Sequence, residues 1–167
     1  MKRRNFLIFG SVLGLSSAIM AKNHKSKLSK PLKRAEKTIY AVQDHLFPEG
    51  SEIPSAKSMQ ATQFLLETVS HATFDKDIRA FIIEGAEELE SRENGKFIHL
   101  SKKEKESALR AYEETQYGNN WLSRILTLTM EGIFSDPIYG ANIKEAGWAS
   151  LDSYGGLPRP TTRYIKL

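Results

Sequence analysis

The chain has 167 residues, of which 40% are hydrophobic and 26% are charged, and it contains no cysteine. This length accommodates one domain of ordinary size with a tail and is too short for two large catalytic domains. The composition argues against wholesale disorder, a collagen-like structure and a polytopic membrane protein, and the missing thiols exclude disulfides, thiolate metal sites and a cysteine nucleophile.

The net charge of +4 is distributed unevenly along the chain. Residues 1–21 carry three basic groups and no acid, residues 22–37 carry a net charge of +6, and residues 38–167 carry −5. A nucleic-acid-binding domain needs its Lys and Arg on the folded elements. Because the basic groups here are concentrated in the N-terminal stretch, we expect no nucleic-acid partner.

The first 21 residues have the pattern of an export signal. The paired Arg3 and Arg4 are followed by Phe6 and Leu7, an arrangement that resembles the twin-arginine signal of folded, exported proteins. The apolar stretch 6–20 has 15 residues, fewer than the ~20 that a membrane span needs. We therefore expect recognition by the twin-arginine translocase and export to the periplasm.

Cleavage of this signal peptide is expected after Ala21, with Ala18 as the alternative. An uncleaved anchor, or a chance apolar stretch on a cytoplasmic protein, are the competing interpretations. Residues 22–34 follow as a stretch rich in Lys and Ser that contains Pro31. Its few apolar groups cannot offset chain entropy, so we predict a basic flexible linker.

Helical periodicity then begins at residue 35. Apolar residues at helical spacing predict a first helix ending before Pro48, and a second helix fits from Ser55 or Ser58 to about residue 73. Asp75 is the predicted cap of a third helix that runs to about residue 94, with Gly95 as its stop.

Two further helices are predicted in the second half. Ser101, followed three residues later by Glu104, forms a capping box that starts the fourth helix, which Gly118 ends. Asn119 or Asn120 caps a fifth helix that runs through residue 134, the most apolar segment after the signal peptide and the expected central helix. After the break at 136–137 at most one short helix fits, around 141–146.

These elements predict an all-α fold. We expect about five helices in one small domain, residues 35–167, with an irregular C-terminal extension rich in Gly and aromatic residues. No alternating strand pattern and no internal repeat is visible.

The sequence offers few groups for catalysis. Glu67 and His71 are spaced i, i+4 and could share a helical face towards a metal, but two ligands make no site, so a surface pair is the simpler interpretation. Asp44 and His45 are neighbours that diverge on a helix and suit an end-of-helix polar pair. Two further groups have a structural explanation. The acidic residues Glu84, Glu87, Glu88 and Glu90 suit a solvated helix face, and Trp121 and Trp148 suit core or interface packing.

A motif after the fifth helix is more specific. It comprises Glu131-Gly132, Asp136-Pro137-Ile138-Tyr139-Gly140-Ala141-Asn142, Gly147-Trp148 and Tyr154-Gly155-Gly156. Together with a weaker match over residues 39–48, it resembles the gluconate 2-dehydrogenase subunit 3 family, with coverage of about residues 36–160. Ala141 stands where the family pattern has a second glycine.

The resemblance implies an all-helical, non-catalytic small subunit with no cofactor or metal of its own. In complexes of this kind the large subunit binds FAD and oxidises a sugar or polyol, and a membrane cytochrome c subunit with haem c passes electrons to quinone. The small subunit carries the twin-arginine signal and takes the flavoprotein across the membrane. The implied location is the periplasm, peripheral to the inner membrane through the complex.

The C-terminal motif has a physical rationale as a partner interface. Pro137 fixes a turn, Gly140 permits a tight backbone and Asn142 can cap a short helix. Large aromatic side chains suit an interface. The predicted interface residues are Pro137, Tyr139, Gly140, Asn142, Gly147, Trp148 and Tyr154. The alternative is that the aromatic side chains fasten the tail onto the helical core.

Two other functions remain open. The first is a freestanding periplasmic helical binding or chaperone module, which would lack a constant partner. The second is a small metalloenzyme that uses Glu67 and His71 with Asp44 or His45.

Overall fold

The computed structural model describes residues 28–163; the predicted signal peptide, its cleavage site and residues 22–27 of the predicted linker lie outside the described residues. The described part contains α-helices and 3₁₀ turns and no strand, which confirms the predicted all-α fold. The helices are α1 Lys30–Leu46, α2 Ala61–Ser70, α3 Lys76–Arg92, α4 Lys102–Glu113, α5 Gln116–Phe134 and the single-turn α6 Ala146–Ala149.

The first helix starts five residues earlier than the periodicity predicted. The Ser29 hydroxyl accepts a hydrogen bond from the Leu32 amide at 3.4 Å, and Pro31 occupies the first turn, where a missing N–H costs nothing. Leu32 is 1% exposed. Residues 30–34, predicted to belong to a flexible linker, are therefore the first turn of the folded domain.

The second helix starts later than predicted. The Ser55 hydroxyl caps only a turn, accepting from the Ser58 amide at 3.1 Å, and Gln60 adopts a left-handed φ of 55° immediately before α2. A left-handed residue interrupts a right-handed helix. Neither Ser55 nor Ser58 starts the helix, which begins at Ala61 and ends at Ser70.

The caps predicted for α3 and α4 are confirmed. The Asp75 carboxylate accepts from the Asp77 and Ile78 amides at 2.8 and 3.0 Å, and these bonds hold its pKa below the ordinary value. Ser101 and Glu104 form the predicted capping box.

The boundary between α4 and α5 differs from the prediction. The Thr115 hydroxyl accepts from the Gly118 amide at 2.9 Å and caps α5, so neither Asn119 nor Asn120 is the cap. Gly118 does not end α4, which stops at Glu113; it lies in the first turn of α5 against the Tyr112 carbonyl, where a Cβ would overlap the backbone.

The longest helix of residues 28–163, α5, is central, as predicted. It packs against each of the five other α-helices in this described range, and its Trp121 is fully buried and donates to the Ile82 carbonyl on α3 at 3.0 Å. Gly85 on α3 makes room for this indole, because a Cβ there would overlap it. Trp121 is thus a packing residue of the main core.

A buried polar junction joins three helices. Gln43 on α1 donates to the Thr129 hydroxyl on α5 at 2.9 Å and accepts from the Thr62 hydroxyl on α2 at 2.6 Å. Gln43 and Thr129 are both 0% exposed. Buried polar groups with satisfied hydrogen bonds restrict how helices can pack.

A smaller core fastens the C-terminal segment to the bundle. Its buried members are Ala56, Met59, Ala61 and Ile133, with Ile143 and Ala146 packed against them. None of the helices among residues 28–163 combines the length and the apolar character needed to cross a membrane.

Candidate partner-binding surface

The C-terminal segment, residues 135–163, begins with a capped turn after α5. The Asp136 carboxylate accepts from the Ile138 amide at 2.9 Å and starts the 3₁₀ turn Pro137–Tyr139. Pro137 suits the first position of this turn because its φ is fixed near the required value. Gly140 ends the turn with a φ of 81°, which favours glycine over any other residue.

Asn142 joins this turn to α6 from the inside. Its side chain is fully buried; Nδ2 donates to the Ser135 carbonyl and Oδ1 accepts from the Gly147 amide, both at 2.8 Å. A Cβ at Gly147 would overlap the Ile133 carbonyl. The amide of Asn142 and the absent side chain of Gly147 therefore hold α6 directly against the end of α5.

Trp148 is folded into this segment. The side chain is 8% exposed, and its indole N–H donates to the Phe134 carbonyl at 2.7 Å. Gly155 comes so close to the ring that a Cβ would overlap it, and the Arg159 guanidinium lies 4.4 Å from the ring centroid. Trp148 thus fastens the tail onto the helical core, which is the alternative role considered for the aromatic residues.

Arg159 connects three parts of the segment. Besides stacking on Trp148, it donates to the Asp136 carboxylate at 2.9 Å and to the Glu145 carboxylate at 3.1 Å. Desolvation alone would raise the pKa of Asp136, but the hydrogen bonds from Arg159 and Ile138 outweigh it, and the pKa lies below its ordinary value.

Arg163 ties the end of the described chain to the bundle. Its guanidinium donates to the Ile138 carbonyl and lies 3.8 Å from the Glu67 carboxylate on α2. The side chain also passes next to Gly140. Two arginines therefore fold residues 150–163 back over the 3₁₀ turn.

Three large hydrophobic residues of this segment are exposed among polar ones such as Asp152 and Ser153. Leu151, Tyr154 and Leu157 are 57, 72 and 82% exposed, although each is large and hydrophobic. We call these three residues the exposed C-terminal edge. Large apolar groups held outward by a fixed backbone are typical of a protein–protein contact.

The predicted interface residues thus divide into three groups. Asn142, Gly147 and Trp148 are buried and make contacts within the chain, whereas Tyr154 is exposed. The others, Pro137, Tyr139 and Gly140, are half-buried in the turn.

Sequence reasoning did not find Arg159, Arg163, Leu151 or Leu157. Two arginines in a tail otherwise poor in charge were the available signal for a clamp. Their acceptors could not be chosen from the sequence.

The geometry does not bring the proposed metal ligands together. His71 lies beyond the end of α2, and its Nδ1 is 2.7 Å from the Thr73 hydroxyl, while Glu67 faces Arg163. Among residues 28–163 no three His, Cys, Asp or Glu side chains form a group suited to a metal ion.

His45 belongs to a polar contact between helices. Its Nε2 lies 2.6 Å from the Glu106 carboxylate on α4, and Arg110 donates to the same carboxylate at 2.9 Å. The hydrogen bond with His45, followed by that with Arg110, lowers the pKa of Glu106. This places His45 in an end-of-helix contact with α4 and not in a dyad with Asp44.

Comparison with protein families gives one match. The model of a family described as Gluconate 2-dehydrogenase subunit 3 matches residues 33–156, which is most of the chain. The matched range begins in α1 and includes the turn, α6 and the exposed C-terminal edge as far as Gly156. Comparisons with curated proteins and with solved structures found no significant match.

Proposed function

Since the chain belongs to the gluconate 2-dehydrogenase subunit 3 family, we propose that it is the non-catalytic small subunit of a periplasmic, membrane-associated dehydrogenase complex that oxidises gluconate or related sugars and polyols. In this role it escorts the folded flavoprotein subunit through twin-arginine export and stabilises it. The family match over residues 33–156 carries the proposal, since the family name is that of a subunit of a dehydrogenase complex.

The pattern at residues 1–21 supports the escort role. A flavoprotein takes up FAD as it folds, so a loaded subunit needs a route that accepts folded proteins, and the pair Arg3-Arg4 resembles the signal for that route. One signal on the small subunit then serves both proteins, provided that they bind each other before export.

The cofactors of the proposed complex lie in other subunits. FAD belongs to the large subunit, and haem c belongs to a membrane cytochrome c subunit that holds the complex at the inner membrane. The contribution of this chain is a binding surface.

We place that surface at the exposed C-terminal edge. Tyr154 would insert into the flavoprotein, because Tyr is one of the residue types that dominate the binding energy of such contacts. Its neighbours Leu151 and Leu157 would extend the apolar contact around it. Asn142, Trp148 and Arg159 act indirectly, by fixing the backbone that presents them.

Co-expression with a FAD-binding oxidoreductase encoded beside this chain tests the escort role. Substituting Arg3→Lys and Arg4→Lys together should leave both proteins in the cytoplasm, while the control Lys25→Arg with Lys27→Arg should leave export unchanged. Export of the flavoprotein despite the double arginine substitution would refute the escort role.

A binding experiment tests the surface. Replacing Leu151, Tyr154 and Leu157 by alanine should weaken flavoprotein binding by at least about thirtyfold, since Tyr154 alone, as a hot-spot residue, contributes about 2 kcal/mol or more. The control Tyr40→Ala removes an exposed aromatic side chain from α1 and should bind normally. If the parent chain purifies without any flavoprotein, the freestanding binding or chaperone module becomes the better description.

A further inference from the structure

Four basic residues share one exposed face of α1. Lys30, Lys33, Arg34 and Lys37 are spaced i, i+3, i+4 and i+7, and all are exposed. At 100° per residue they fall within an arc of about 100°. The opposite side of the helix is buried in the core, with Leu32 at 1% exposure. The start of α1 is therefore a basic amphipathic helix, although the charge distribution suggested that few cations lie on the folded elements.

The cations continue onto a second helix. Lys102 and Lys105 of α4 line a groove of about 160 Å³ together with Ala41 and Asp44 of α1. Ala41 follows Lys37 by four residues and so lies on the same side of α1. We call Lys30, Lys33, Arg34, Lys37, Lys102 and Lys105 the basic face.

The lysines of the basic face have no internal counterion within the described part of the chain. No carboxylate oxygen of residues 28–163 lies within 4.0 Å of any of the five. Arg34 is the exception and pairs with the exposed Glu87 at 3.3 Å. The acids on the same two helices are Glu36 and Asp44 on α1 and Glu104, Glu106 and Glu113 on α4. The positive excess is therefore concentrated at the start of α1, where residues 30–37 carry four cations and only one acid.

The position of this face along the chain favours one binding surface. The apolar stretch 6–20 ends eight residues before Leu28, a distance of at most about 29 Å even when the chain is fully extended. When this stretch engages a membrane, before the expected cleavage after Ala21, the basic face stays within reach of the same bilayer. Lysines are compact point charges that suit many headgroups without requiring a fixed geometry.

We propose that the basic face binds the anionic phospholipid headgroups of the bilayer, so that this chain contacts the membrane directly and not only through its complex. Basic amphipathic helices next to an apolar segment bind membrane surfaces by this combination of forces. The contact orients the domain with the first half of α1 towards the lipid.

The expected strength can be worked out from the number of charges. Each Lys or Arg near an anionic surface increases binding about fivefold, so removing two should weaken it by roughly thirtyfold. Because the attraction acts through solvent, raising the salt concentration should reduce it steeply.

Vesicle flotation of the full chain tests the proposal. The probe is vesicles of equal parts phosphatidylglycerol and phosphatidylcholine, compared with vesicles of phosphatidylcholine alone, which measure the contribution of the apolar stretch. Lys33→Gln with Lys37→Gln should lose roughly thirtyfold in binding to the anionic vesicles and nothing in binding to the neutral ones. The control Arg124→Gln with Lys144→Gln changes the net charge equally at exposed sites on α5 and in the C-terminal segment and should bind as the parent does.

Three results would overturn the proposal: equal binding of the parent to both vesicle types, an equal loss for the test and control variants, or normal lipid binding by the Lys33/Lys37 variant combined with loss of the flavoprotein. The last result would identify the basic face as a protein-binding surface. Failure of the lipid contact leaves the escort role intact, since that role is measured by export of the flavoprotein.

Discussion

Replacing Asn142 by alanine should detach the C-terminal segment from the bundle. The substitution leaves the Ser135 carbonyl and the Gly147 amide without their partner, and both bonds come from a fully buried side chain. Each unsatisfied buried group costs about 1–3 kcal/mol, so the free energy of unfolding should fall by roughly 2–6 kcal/mol. The total stability of a domain is typically about 5–15 kcal/mol, so this is a large share.

The loss of unfolding free energy cannot exceed the free energy that holds the C-terminal segment on the bundle. If the segment is held by less than the cost of the two groups, it will open locally while α1 to α5 stay folded. Trp148 would then leave its contact with Phe134 and become exposed, whereas Trp121 would remain buried in the main core. Urea denaturation gives the global free energy, and the indole N–H resonance of Trp148 reports the local opening.

Two variants distinguish the effect of losing the Asn142 side chain from the effect of its left-handed backbone conformation. Asn142 has a left-handed φ of 48°, which costs an alanine about 1–2 kcal/mol and a glycine almost nothing. Asn142→Gly avoids this backbone cost, so its free energy of unfolding should fall by most of the loss measured for Asn142→Ala, through removal of the amide alone. The exposed control Asn119→Ala should change the free energy by less than about 0.5 kcal/mol. An unfolding free energy of Asn142→Ala within that same margin, with an unchanged Trp148 resonance, would refute the role assigned to the buried amide.

Three further predictions follow from the described contacts. Gly85→Ala should lower the melting temperature, because overpacking against Trp121 costs about 1–3 kcal/mol and exceeds the ~1 kcal/mol gained in helix propensity; an unchanged melting temperature would contradict the close contact. Gln43→Leu should lose about 1–3 kcal/mol in urea denaturation, since the Thr62 and Thr129 hydroxyls lose a buried partner, and a stabilised variant would mean that the polar junction contributes nothing. Because the pKa of Asp136 is lowered in the folded protein, its contribution to stability is fully present above the ordinary carboxyl pKa and is lost as the pH falls through the lower folded value. This loss should change the Trp148 resonance in acid, since Arg159 joins Asp136 to Trp148. Asp136→Asn should remove that change, and an identical pH profile in both proteins would exclude Asp136 as its source.

Helix starts that depend on local side-chain caps could be predicted from the sequence. Asp75 and Ser101 each bond to amides two or three residues ahead, so the signal lies within one turn of the helix. The central position of α5 was likewise visible in its apolar composition.

Boundaries that depend on packing could not be predicted in this way. Thr115 caps α5 through a local bond to the Gly118 amide, but Gly118 was predicted to end α4. The close approach of Gly118 to the Tyr112 carbonyl, which requires a glycine inside α5, is not visible in the sequence. The early start of α1 reflects the burial of Leu32, which a window rich in lysine conceals.

The candidate surface shows the same division. The motif around residues 136–148 was found because it resembles a family pattern, but its inward-facing role was not. Arg159 and Arg163 bond to residues 23 and 25 positions away, and sequence spacing does not specify such partners. Of the residues predicted for the interface, Tyr154 is exposed and Pro137, Tyr139 and Gly140 are half-buried, whereas the other three face inward.

The contact between Arg163 and Glu67 bears on the order in which the molecule is assembled. These residues are far apart along the chain, and Arg163 must also find the Ile138 carbonyl, so this contact can close only after α2 and the end of α5 have met. Contacts between distant residues form late because their loops are costly to close. Residues 150–163 are therefore completely folded back over the bundle only in a finished domain, and a partner that requires the exposed C-terminal edge would in effect select completed subunits over partly folded ones.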